Sequence, residues 1–115
     1  MPFNEVNRLR KSGKLEEALI MANQDLEKEP ASIWNKRSIA WVYYDYLKKY
    51  ATEENFEKFI DYLIKLKALE LPADEKMVFD ECAYQIGKLI FSLAKYEYID
   101  YSKINLLFEN IKTFH

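Results

Sequence analysis

Two glycines, three prolines, one cysteine and one histidine among 115 residues leave this chain short of what many functional classes require. An all-β chain turns often and spends glycine and proline at its turns, so their scarcity implies a few long helices. Cys82 has no second cysteine to pair with, which excludes an intrachain disulfide and fits a reducing cytosol. The single histidine is the last residue, His115. That leaves no histidine for a general base, a zinc site or a Ser-His-Asp triad. No apolar run nears the roughly 18 residues of a membrane span. The opening Met1-Pro2-Phe3-Asn4-Glu5 has neither the basic nor the apolar region of a signal peptide. The expectation is a soluble cytoplasmic protein without cofactor or metal. An excess of positive charge is missing too. With 17 basic and 19 acidic residues the net charge is -2, unlike the basic footprint of a nucleic-acid binder.

What is present points to a packed helical domain. Half of the residues are hydrophobic and 31% are charged, far from the composition of disordered chains. Gly13, Pro30 and Pro72 punctuate the chain, with softer breaks near Tyr50 and Asp100. Between them apolar residues recur at intervals of three and four. Phe3, Val6 and Leu9 mark a first helix to about Ser12, and Leu15, Ala18, Leu19, Ala22 and Leu26 a second. Ser32 is the expected N-cap of a third, which runs to about Tyr50. A fourth carries Phe56, Phe59, Ile60, Leu63, Leu66 and Leu69. A fifth, capped by Asp74, carries Val78, Phe79, Cys82, Ile86, Leu89 and Leu93. A sixth follows Asp100 with Ile104, Leu107, Phe108 and Ile111. Six helices in three hairpins result, an all-α chain with units of roughly 2–30, 31–72 and 73–115.

The first hairpin resembles a known repeat. Gly13-Lys14-Leu15-Glu16-Glu17-Ala18-Leu19, closed by Pro30, is similar to the second helix of a tetratricopeptide repeat. There a Gly turns the hairpin, a small Ala packs at the helix crossing, and a Pro ends the unit. A small residue suits a close interhelical approach. Ala40 and Ala83 fall at the equivalent places of the next two units. The interval from Pro30 to Pro72 exceeds the 34 residues of a standard repeat, and the second turn, between Tyr50 and Asn55, has no Gly. In addition, Trp34-Asn35-Lys36-Arg37, Trp41-Val42-Tyr43-Tyr44-Asp45 and Gln85-Ile86-Gly87-Lys88 look like the N-terminal helical part of larger bacterial conflict or defence proteins. Those proteins carry a nucleic-acid-binding fold further along.

The tetratricopeptide resemblance implies a short α-solenoid whose first helices line a groove for a protein or peptide partner. It places Phe3, Asn7, Arg10 and Lys11 from helix one in that groove. Helix three would add Trp34, Arg37, Trp41, Tyr44 and Asp45, and helix five Met77, Asp80, Tyr84 and Lys88. Spacing agrees on one point: Trp34, Arg37, Trp41, Tyr44 and Lys48 form a single stripe. Ile39, Tyr43 and Leu47 form another, so both can be core only if helix three is central. Trp, Tyr and Arg dominate interface energetics, at about 2 kcal/mol or more each at a hot spot. The functional expectation is a non-catalytic scaffold or adaptor. The rivals are a module of a nucleic-acid-associated conflict protein, with phosphates met by Arg8, Arg10, Lys11, Lys14, Lys36 and Arg37, and a homodimer through the sixth helix. Gly87, mid-helix, is expected to mark close packing against helix three or six, with room for a ligand as the alternative.

Overall fold

The computed structural model describes residues 2–72, 75–95 and 100–114, with side chains over 5–72, 75–95 and 100–110. Six helices make up these residues: α1 (Pro2–Lys11), α2 (Leu15–Lys28), α3 (Ile33–Glu53), α4 (Phe56–Ala68), α5 (Lys76–Ala94) and α6 (Tyr101–Phe114). Among the described residues there is no strand, and no helix is long and apolar enough to cross a membrane.

Local chemistry sets the helix ends. Ser32 caps α3 by accepting a hydrogen bond from the Asn35 amide at 3.3 Å, and Asn55 caps α4 through the Lys58 amide at 3.3 Å. At the end of α1 the Lys14 amide donates to the Leu9 carbonyl at 2.9 Å and the Gly13 amide to Arg10 at 3.0 Å, a Schellman turn with Gly13 at φ 78°. The turn without glycine is built the same way. The Asn55 amide donates to Tyr50 at 2.9 Å and the Glu54 amide to Ala51 at 3.2 Å, with Glu54 left-handed at φ 57°. This turn carries α3 three residues beyond the expected stop at Tyr50. The N-cap of α5 is Glu75, which makes no capping bond through its side chain; that carboxylate is taken by Arg37. Asp74, the expected cap, lies outside the described residues, as do the side chains of Phe3 and Ile111.

Each hairpin packs on itself, and α3 packs against α1, α2, α4 and α5. It is the central helix, which resolves its two stripes. Ile39, Ala40, Val42, Tyr46 and Leu47 are buried in the core together with Val6, Ala18, Phe59, Leu63, Ile86, Leu89 and Leu107. Each large side chain among them contributes about 1.5–3 kcal/mol relative to exposure. Ala18 and Ala40 are fully buried, as expected of small residues at crossings, whereas Ala83 is half-buried. In α6, Ile104 and Leu107 are buried and α6 packs on α5, while Phe108 is half exposed.

Side-chain ties fix the order of the helices. Arg10 reaches Asp45, 35 residues on. Arg37, Tyr44 and Thr52 meet Glu75, Glu81 and Lys88, at separations of 38, 37 and 36. A nearly constant offset along α3 and α5 means that the two run parallel. Lys103 pairs with Glu57 at 3.5 Å and Lys67 donates to Asn110 at 2.7 Å, so α4 and α6 also run parallel. The result is three antiparallel hairpins side by side, in a slab of 48 × 28 × 19 Å.

Candidate functional site

One face of the slab collects α1, α3 and α5, and the residues expected in a groove lie on it with different roles. Arg10 is half-buried and bonded through all three of its nitrogens. Its Nε donates to Asp45 Oδ2 at 2.6 Å, its Nη2 to Asp45 Oδ1 at 3.3 Å and its Nη1 to Asn7 Oδ1 at 3.1 Å. Its guanidinium also lies 5.3 Å from the centre of the Trp41 ring. Trp41 is half-buried, packs against the core and meets the edge of Tyr44 at 5.5 Å. The Tyr44 hydroxyl donates to Glu81 Oε2 at 3.2 Å and accepts from Gln85 Nε2 at 3.4 Å. Burial raises the Tyr44 pKa, so this hydroxyl stays protonated.

Arg37 sits over the Trp34 ring at 4.7 Å and binds the Glu75 carboxylate, with Nε at 3.0 Å from both oxygens. These ties join α1 to α3 and α3 to α5. Arg10, Arg37, Trp41 and Tyr44 therefore build the face, and a partner meets them already spoken for.

Other residues of the same face are more exposed. Trp34 is 59% exposed, Met77 75%, Tyr84 67% and Phe91 77%. Asp80 is exposed beside them. Burying large aromatic and thioether side chains is what interface cores do. Phe91 was not anticipated. Its signal was the seven-residue interval from Met77 to Tyr84 to Phe91, close to two helical turns.

Gly87, on the flank of this stripe, corrects an expectation. A Cβ built there meets nothing within 4 Å, so close packing against α3 or α6 does not account for it. A glycine mid-helix costs about 1 kcal/mol relative to alanine, and at Gly87 no neighbour among the described residues returns it.

A second feature was hidden in the sequence. Tyr46, Tyr50 and Tyr62 stack, with Tyr46 and Tyr62 4.3 Å apart at 11° and Tyr50 and Tyr62 5.8 Å apart at 27°. Tyr43 adds a tilted ring 5.9 Å from Tyr62. Lys65 lies over Tyr62 at 4.7 Å, and Lys49 and Lys58 over Tyr50 at 5.5 and 5.8 Å. Burial, with the neighbouring Tyr62 and Glu16, pushes the Tyr46 pKa up to about 12. A cleft of about 570 Å³ opens beside these rings, lined by Lys14, Lys49 and Lys58 but also by Glu16 and Glu17. With both signs on its wall it selects neither an anion nor a cation.

Chemistry is thinly supplied. Burial pushes the Cys82 thiol up to about 12, far from the thiolate a nucleophile needs. Among the described residues no group of three His, Cys, Asp or Glu side chains is placed to hold a metal. Of the basic residues on the first hairpins, Arg10 pairs with Asp45 and Arg37 with Glu75 in part-buried ion pairs, which removes two cations from the set that would meet phosphates, while Arg8 pairs with Glu5 at the exposed surface.

No family model, curated protein or solved structure matches this chain.

Proposed function

We propose that this chain is a non-catalytic protein-binding module that holds a helical or extended partner segment across the α1–α3–α5 face. One observation carries the reading: Met77, Tyr84 and Phe91 stand exposed along α5, with Trp34 exposed near its N-terminal end, on a face tied together by Arg10–Asp45, Arg37–Glu75 and Tyr44–Glu81. A pre-organised surface loses little entropy on binding, and aromatic anchors supply the energy. The similarity of the first hairpin to tetratricopeptide repeats supports the same face as the contact surface. The carboxylates bound to Arg10 and Arg37, together with exposed Asp80, weigh against a phosphate backbone as the partner.

The test is capture of binding segments from a displayed peptide library by the immobilised wild-type chain. Trp34→Ala with Tyr84→Ala should remove capture and leave far-UV helicity unchanged. Capture that survives both substitutions would place the partner on another surface and end this reading.

A further inference from the structure

The apolar stripe of α5 is self-complementary, and that property selects its occupant. Met77, Tyr84 and Phe91 span 14 residues, about 21 Å of helix at 1.5 Å per residue. Glu81 and Lys88 lie together on one flank of the line, held at its edge by Tyr44 and Thr52. Gly87 lies on the other flank with open space above it. Turned antiparallel about a twofold axis at Tyr84, the stripe meets itself. Met77 of one copy faces Phe91 of the other, and Tyr84 faces Tyr84. In an antiparallel pair like flanks meet, so each Glu81 comes opposite a Lys88, twice per contact. A parallel pair would bring unlike flanks together, setting Glu81 against Asp80 and Lys88 against Gly87, and would form neither ion pair. The missing side chain at Gly87 lets the second helix come close.

Resting on the reading of this face as a docking surface, we propose that α5 pairs antiparallel with α5 of a second copy of this chain, giving a twofold dimer. The contact involves one helix and the adjoining Trp34 from each copy. It falls at the small end of specific interfaces, below about 1,200 Å² in total, where association is weak and concentration-dependent.

The experiment is sedimentation equilibrium of the full chain from about 5 to 500 µM, a range suited to a weak small interface. The mass should rise from monomer toward dimer. Glu81→Lys and Lys88→Glu should each weaken the dimer about tenfold, because either change creates two repulsive pairs. The double variant Glu81→Lys/Lys88→Glu should return to the wild-type constant, since it exchanges the two ends of each pair. Tyr84→Asp should leave a monomer of unchanged helicity. A wild-type chain that stays monomeric throughout overturns the dimer. If its binding of library peptides still depends on Trp34 and Tyr84, the docking reading stands alone. A dimer indifferent to the charge exchanges also overturns the proposal and moves the contact to another surface, such as Leu106 and Phe108 on α6.

Discussion

Gly13 and Glu54 hold the same place in the turns of two successive hairpins, the left-handed residue that closes a Schellman motif, at φ 78° and 57°. Glycine takes this conformation without a steric penalty and glutamate does not. Glu54 also lies 3.7 Å from Lys95, a long contact to a largely exposed lysine and so worth little. Glu54→Gly is therefore expected to stabilise the fold by about 0.5–1 kcal/mol, raising Tm by about 2–5 °C for a domain of this size. Gly13→Ala should lower it by a similar amount. Calorimetry of the two variants checks both signs, and a destabilised Glu54→Gly would refute the argument.

Trp34 and Trp41 should separate in stability measurements although they share a stripe. Trp34 is mostly exposed and touches Arg37, so Trp34→Ala should cost less than about 1 kcal/mol. Trp41 packs against the core, the Tyr44 ring and the Arg10 guanidinium. Trp41→Ala should cost about 2–3 kcal/mol, below the range for a fully buried ring. Urea denaturation of both variants decides this, and equal costs would contradict the positions assigned here.

The stacked tyrosines predict an alkaline limit to stability. The folded Tyr46 pKa, at about 12, lies above its ordinary value of 10, and those of Tyr43 and Tyr62 are raised as well. The folded state therefore holds its phenolic protons longer than the unfolded chain does. The stabilisation is complete below about pH 10 and is lost as pH climbs through 12. Ultraviolet titration should show part of the tyrosine ionising only together with loss of helicity. Cys82, buried and also raised to about 12, should stay unmodified by disulfide reagents at neutral pH until the chain unfolds. Smooth titration of every tyrosine with the fold intact would contradict this picture.

The fold was legible because most of its helices carry their apolar residues at regular three- and four-residue intervals between strong breaks. Ser32, Ala18 and Ala40 act in the structure as their chemistry suggested. The second turn was harder, because Glu54 adopts a glycine conformation without being glycine, and no residue type signals that. Of the proposed face, α3 could be read as two stripes, but only its central position decides that Trp41 leans on the core while Trp34 does not. Asp45 and Glu75 bind Arg10 and Arg37 across more than 30 residues, and periodicity carries no information on such pairs. The tyrosine stack depends likewise on Tyr62 of α4 meeting Tyr46 and Tyr50 of α3. Phe91 is different. Its spacing from Met77 and Tyr84 was visible, but it reads as a face only when burial shows that face to be empty.

Gly87→Ala gives the sharpest contrast between what the single chain wants and what a docked α5 wants. Within one chain the new methyl group enters open space. It also removes the backbone freedom glycine carries when unfolded, so the variant should be about 1 kcal/mol more stable. Thermal melts at low concentration, where the chain is monomeric, isolate that gain. At high concentration the same methyl stands where a second helix would approach, and the self-association constant should fall. A variant that gains stability and loses association shows that Gly87 is kept for contact. A variant less stable than wild type at low concentration would show that its surroundings are more crowded than the open flank of α5 described here.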